Sequence, residues 1–442
     1  MQQDASQPPD LTGDPVLVRC RLRHTRSLDR AFPRSPGRGR LRGVIGAHLS
    51  AATLLRVSAE GVATAVVLTV QARTGDAATA GFLQTAMTLP YVLSGPVIGH
   101  VLDRTARPRR LALLLAAGYA VATAVLLATA GRSPLVLALA VAAVIGCTEP
   151  VVVALTSLLP RFVPADRLSR AYGLEASSYN VAAIAGPGLA AGAAAFAGGG
   201  AYAGAAIVAA AIAGLCALPF LPFPPPPDRT DGAPPHAASI VTGGLAVLVR
   251  GRVLRALTVA TTVAWLGFGG VAVTAVLTAG HLGAEPSAGG RLLVALAVGS
   301  LLGSLASSRL LTPRHAEPVM VAGLAGFGAS LAAVAAAPSI AWATAAFVVA
   351  GLCEGPVFAA TLMLRQREAP PDRLGQVNTT AGSLKIGASA LGAALTAVLA
   401  GALGADGLVL AIAACQLAGA ALGAVLLRVP REKSIDAVEK GP

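Results

Sequence analysis

The chain has 442 residues, 55% of them hydrophobic and only 12% charged, with a mean hydropathy of +0.70 and a net charge of +13. A soluble domain carries roughly 25% charged residues, so this composition excludes a soluble globular protein and places the chain in a bilayer. The basic excess does not point to nucleic acid: it lies in loops between apolar runs, and with 4% aromatic residues there is little to stack bases on.

In chain order, residues 1–42 are polar and rich in Arg and Pro, which predicts a disordered cytoplasmic tail with no secretory signal peptide. Twelve apolar runs follow, each near the roughly 20 residues that an α-helix needs to span the hydrocarbon core. They cover 43–71, 79–102, 109–130, 134–160, 171–197 and 199–222, then 254–280, 287–311, 317–337, 339–364, 378–401 and 407–428. Between the sixth and seventh runs stands Pro224–Pro227, which cannot continue a helix and forms a stiff spacer. Residues 224–252 are therefore a cytoplasmic linker, in which Ile240–Val249 is an amphipathic segment suited to the membrane surface. The expected architecture is an all-α integral membrane protein of twelve transmembrane helices. Its six-helix halves cover 43–223 and 253–428, and a short cytoplasmic tail covers 429–442.

The basic residues test this count. Of 34 lysines and arginines, Arg73 and Arg132 are the two that fall in the loops opposite the termini, while Arg56, Arg291 and Lys385 fall within spans. All others lie on the side of the termini, so the positive-inside rule places both termini in the cytoplasm of a cell-membrane protein.

The two halves echo each other. Gly146–Pro150 (GCTEP), followed by Pro164–Leu168 (PADRL), returns as Gly351–Pro356 (GLCEGP), followed by Pro370–Leu374 (PPDRL). The period is far too long for a solenoid and fits two copies of one membrane half. Each copy sets an acid, Glu149 or Glu354, in mid-span beside a proline, where burial is costly and a function is the default reading. Other chemistry is missing from the sequence. No phosphate-binding GxxxxGK[ST], no HExxH and no catalytic triad occurs, and the five cysteines have no metal or disulfide spacing. An enzyme, an ATP-driven pump, and a metal or cofactor requirement are thus not expected.

Two motifs carry a family resemblance. Gly99–Arg110 (GHVLDRTARPRR), after the second span, resembles the Gly-x-x-x-Asp-Arg-x-Gly-Arg loop of the major facilitator superfamily through Gly99, Asp103, Arg104 and Arg107. Ala106 replaces its second glycine and Pro108 interrupts its basic run. In the fifth span, Ile184–Gly192 (IAGPGLAAG) is similar to the Gly-Pro motif of the antiporter branch, with Gly186, Pro187 and Gly192 in place and Ala191 where a glycine is usual. The run before this span is closest to drug and siderophore exporters. The resemblance implies the major facilitator fold, a cavity lined by the first, fourth, seventh and tenth helices, and a cytoplasmic gate at Asp103 and Arg104. The fourth span lacks the early arginine of many proton-coupled exporters.

Within this frame Arg56 and Glu60, one helical turn apart, are expected to pair near the centre of the first span, either as a neutralised structural couple or as a proton site. Glu60, Glu149 and Glu354 are the expected proton or cation sites. Lys385 either snorkels to the cytoplasmic surface, or pairs with Glu354 or attracts an anionic group, and Glu175 is read as interfacial. Trp265, Phe268 and Tyr91 are candidates for an apolar pocket. Setting Arg56 and Lys385 against three acids leaves a negative midplane, which favours a cationic or neutral substrate. The expected function is proton-driven export of small amphipathic compounds, as in drug efflux, by a monomer whose partners are substrate, protons and lipid. An importer of a small metabolite, and a membrane sensor that no longer transports, are the alternatives.

Overall fold

The computed structural model describes residues 38–75, 77–197, 199–224, 237–285 and 287–428. Most of the expected terminal tails and of the proline-rich spacer lies outside the described residues; residues 38–42, assigned to the disordered tail, are instead helical and continue the first span toward the N-terminus. The chain divides into two units, Met1–Gly43 and Val44–Pro442, and the site and contacts described below belong to the second.

Every predicted span falls on helix, and no strand occurs among the described residues. The N-terminal half comprises α1 (Arg38–Thr74), α2 (Ala77–Arg104), α3 (Pro108–Thr129), α4 (Leu135–Phe162), α5 (Ala165–Ala197) and α6 (Gly200–Ala217). The linker carries α7 (Ala237–Arg250). The C-terminal half comprises α8 (Arg252–Phe268), α9 (Val271–His281), α10 (Ser287–Leu310), α11 (Ala316–Val334), α12 (Ile340–Glu368) and α13 (Leu374–Arg428). Helices α8 and α9 form one span bent by 42° at Gly269–Gly270. Helix α13 holds the last two spans, divided at Gly404, whose φ of 64° is a left-handed conformation that glycine adopts without strain.

Each half buries its own apolar core, typified by Leu83, Leu126 and Ile145 in the first and by Phe327, Leu331 and Phe347 in the second. A third cluster joins the halves: Ala171, Tyr172 and Ala176 of α5 pack with Ala359, Ala360 and Leu364 of α12. Lipid tails are as apolar as leucine, so such contacts depend on close fit. Small residues supply it where α2 meets α13. A Cβ on Gly99 would lie 2.7 Å from the Cα of Gln376, and one on Gly95 would lie 3.2 Å from the carbonyl oxygen of Thr379. Helices α5 and α10 meet equally closely at Gly173 and Ser308. These contacts gather at the arginine-rich end of the bundle. Toward the other end, Gly188 and Gly192 of α5 and Gly290 of α10 would have no neighbour within 4 Å of an added Cβ. Among the described residues the close contacts between the halves thus lie at the arginine-rich end, which is the closed end.

The linker helix reinforces the closed end. Leu248 of α7 is fully buried with Ala369, Leu374 and Val377, and Gly243 and Gly244 lie against Gln376 and Thr380 of α13. Gly99→Val is expected to open the arginine-rich end without unfolding either half. In a background lacking the native cysteines, maleimide should label a cysteine at buried position 383 faster when Gly99 is replaced. An unchanged rate would contradict this role.

Candidate functional site

The centre of the N-terminal half is a polar cluster held by α1, α4 and α5. Arg56 of α1 is 1% exposed and forms a buried ion pair with Glu175 of α5. Its guanidinium also donates to Ser178 and, at 3.2 Å, to the hydroxyl of Thr156, and it lies 3.6 Å over the ring of Tyr179. Thr156 in turn donates to Glu175 at 2.8 Å. The fully buried His48 places Nε2 3.5 Å from the second oxygen of Glu175. Two expectations are overturned here. Arg56 pairs with Glu175 rather than with Glu60, because the tertiary packing of α1 on α5 offers a fully desolvated carboxylate, whereas Glu60 one turn away is exposed. Glu175 is correspondingly a core residue, not an interfacial one. An arginine buried in a membrane protein requires such a counter-charge.

Glu60 is thereby left without a hydrogen-bond or ion-pair partner among the described residues. It lies within electrostatic range of Glu149, and both lie within range of Tyr91. Glu149 stands at the turn where proline interrupts α4, half-buried and without a side-chain hydrogen bond among the described residues. The matching residue of the second half, Glu354, accepts a hydrogen bond from Ser300 of α10. Ser300 also lies 2.9 Å from Oδ1 of Asn180, whose Nδ2 donates to Ser304 at 2.8 Å. Asn180 of α5 therefore binds across the halves to α10, next to Glu354.

In the C-terminal half, Lys385 is 5% exposed, which overturns the snorkelling alternative. The first limb of α13 packs between α2 and α8, so Lys385 points inward. Its Nζ lies 5.1 Å from the ring centre of Trp265 and 5.3 Å from that of Phe358, within cation–π range. It lines a cavity of about 20 Å³ with Trp265, Phe268, Phe358, Thr361 and Glu354. Glu354 forms no ion pair with Lys385 among the described residues, so the expected pairing is not made. Trp265 and Phe268 line this cavity as expected; Tyr91 does not, and its carbonyl instead receives the Ser383 hydroxyl at 3.5 Å. Arg365, assigned to a loop from sequence, is 4% exposed within α12. The signal was present: Glu354, Phe358, Thr361 and Arg365 recur at helical spacing on one face.

At the closed end, Asp103 caps the start of α13. Its carboxylate accepts from the backbone N–H of Gly375 at 3.0 Å and of Gln376 at 2.8 Å, and Arg161 approaches at 3.3 Å. An acid at a helix N-terminus satisfies free N–H groups and complements the helix dipole. Gly99 one turn earlier allows the approach. Pro108 occupies the first turn of α3, where its missing N–H costs nothing, and Arg107 is the exposed residue before it. In the Gly-Pro motif, Gly186 abuts the backbone of α1 at Gly61, whereas Gly192 touches nothing within 4 Å.

A bundle of membrane-spanning helices in two halves, closed at one end around charged groups held in mid-span, defines a multi-pass membrane transporter rather than an enzyme. The model of the Major Facilitator Superfamily matches residues 49–277 and 257–441. The chain belongs to this superfamily. It is 27% identical over 359 residues to the uncharacterized MFS-type transporter y4rN of Sinorhizobium fredii, covering 79% of this chain and 87% of that protein. Its fold is similar to that of the human organic anion transporter MFSD10 (TETRAN), with a TM-score of 0.74 and 16% identity over 87% of this chain and 99% of that one. It is also similar to a bacterial homologue of the iron transporter ferroportin in an outward-facing state, with a TM-score of 0.68 and 16% identity over 87% of this chain and 98% of that one. At such identities the structures share the fold alone.

Two predictions follow from these geometries. Glu175→Gln leaves the Arg56 charge buried and uncompensated, and should destabilise the protein by about 3–5 kcal/mol, measured by thermal unfolding in detergent. Asp103 lies one residue beyond the second predicted span. Burial pushes its carboxyl up from 3.8 to about 7, with Asp372 adding slightly, against the pull of the Gln376 and Gly375 N–H groups and of Arg161. The closed form therefore takes up a proton that a solvated Asp103 would release, so closure should strengthen as pH falls from about 8 to about 5. Distances between spin labels across the closed end should show this trend in the native protein and lose it in Asp103→Asn.

Proposed function

We propose that the protein is a proton-coupled antiporter that exports small amphipathic organic compounds across the cell membrane by alternating access. The observation that carries this reading is the contrast among the mid-span acids. Glu175 is neutralised by Arg56, whereas Glu60 and Glu149 stand in mid-span without a hydrogen-bond or ion-pair partner among the described residues. An unpaired intramembrane carboxylate is costly unless it is used, and reversible protonation is the use that suits it. Two such groups within electrostatic range repel when both are ionised, which favours proton uptake by one of them.

Glu354 offers a link between protonation and closure. Ser300 has a single hydroxyl hydrogen to share between Glu354 and the amide of Asn180. A protonated Glu354 no longer needs it, and Ser300 is then free to donate across the halves to Asn180. Proton binding on this account favours the form closed at the arginine-rich end. The positive-inside rule makes that end cytoplasmic, so the closed form faces outward, and release of the proton inward would follow the reverse rocking of the halves. The Gly-Pro motif of α5 supports export over import.

Inside-out vesicles with an imposed pH gradient test the proposal. Lipophilic cations, neutral antibiotics and siderophore-like compounds are added in turn while a dye follows the gradient. One class should dissipate the gradient in native vesicles, and Glu60→Gln and Glu149→Gln vesicles should show at least about a tenfold slower response, the size expected for loss of a proton-transfer group. Unchanged dissipation in the doubly substituted protein would overturn the proton role of these acids.

A further inference from the structure

Arg365 and Lys385 are the buried charges that the transport scheme above leaves unexplained. Both are more than nine-tenths buried; the Nε of Arg365 has no hydrogen-bond partner among the described residues, and the Nζ of Lys385 faces the Trp265 and Phe358 rings. A guanidinium cannot shed its charge, so Arg365 stays cationic wherever it is placed. The same molecule shows what a purely structural arginine looks like: Arg56, equally buried, has Glu175, Ser178 and Thr156 around it. Arg365 and Glu354 are both electrostatic neighbours of Lys385, so the acid offsets part of the charge that Arg365 adds. Glu354, the acid on the same cavity wall, is occupied by Ser300. Thr361, one turn from Arg365 on the same face of α12, lines this cavity and has a buried hydroxyl with no hydrogen-bond partner among the described residues.

We propose that Lys385 and Arg365 bind the anionic group of an organic substrate, a carboxylate or similar oxyanion, with Thr361 as an added donor and Trp265, Phe268 and Phe358 against the apolar body. Two buried cations share the single nearby acid Glu354, so one positive charge is left for an anion from elsewhere, and a guanidinium near an ammonium provides both directed donors and net charge for it. The net negative midplane count, which favoured cations, averages over two poles. The unpaired acids Glu60 and Glu149 stand on α1 and α4, and the unpaired bases stand on α12 and α13, in the opposite half. The cavity has room for about one water or one small charged group in this conformation. A substrate with an apolar body therefore needs this cavity to widen between Trp265, Phe268 and Phe358. This inference rests on the transporter reading and names the chemistry of its substrate.

The test is a binding measurement that needs no proton gradient. Full-length protein carrying Trp342→Phe, which removes the exposed second tryptophan, is titrated in detergent with three probes of equal size: 4-methylbenzoate, 4-methylbenzamide and 4-methylbenzylamine. The benzoate is expected to change Trp265 fluorescence saturably, and the amide and amine are not. Lys385→Met, which keeps the aliphatic bulk, should weaken benzoate binding by at least about tenfold. Arg365→Lys, which keeps the charge and loses the fork, should weaken it less. Circular dichroism establishes that each variant is folded. Equal responses to acid and amide, no response to the acid, or unaltered acid affinity in folded Lys385→Met protein would overturn the proposal. Benzoate binding without any dissipation of a pH gradient would instead remove the proton coupling and leave this site standing.

Discussion

The structure turns on the cost of charge in a low-dielectric interior. Arg56 and Glu175 meet that cost by pairing, each surrounded by further donors or acceptors, and their contact fixes α1 against α5. The other mid-span charges depend on this pair, because it removes from circulation the one arginine that could have neutralised Glu60. What remains is Glu60 and Glu149 on one half, and Lys385 and Arg365 with the acid Glu354 on the other. Unpaired charge in such a place is stable only where a proton, a substrate or water completes it.

Closure is built from a second, weaker currency. The two halves meet at the arginine-rich end through glycine and small polar residues on α2, α5, α10 and α13. A carboxylate on two backbone N–H groups and an asparagine between two serines add polar contacts that hold the closed form without welding it. Such contacts, each worth a kcal/mol or so, suit a transition that must run in both directions. Helix α7 covers the same junction, so the linker between the halves is part of the closed end as well as a tether.

Much of this was legible in the sequence. Hydropathy located every span, because a helix that crosses lipid needs a fixed length of apolar residues whatever it packs against. Asp103 and Gly99 declared themselves through their motif, and Glu149 and Glu354 through the internal repeat. The partners were not legible. Spacing along one helix put Glu60 beside Arg56, but an arginine side chain reaches across to a neighbouring helix as readily as along its own, and α5 offered the drier carboxylate. Lys385 and Glu175 sit short distances into their spans, where sequence alone cannot separate a snorkelling chain from one turned inward. Arg365 was hidden by its neighbours: with Arg367 and Arg373 close behind, it read as one more loop cation.

The sequence by itself determined the environment, the number of spans, the two-fold repeat and the family, because each follows from local composition and periodicity. Tertiary structure alone decided which charges are neutralised and which stand free. That assignment depends on which faces of α1, α4, α5, α12 and α13 turn toward one another, and the rotation of a helix in a bundle is set by its neighbours. A buried charge acquires its role from the nearest charge in space, and in this protein the nearest charge is rarely the nearest in the chain.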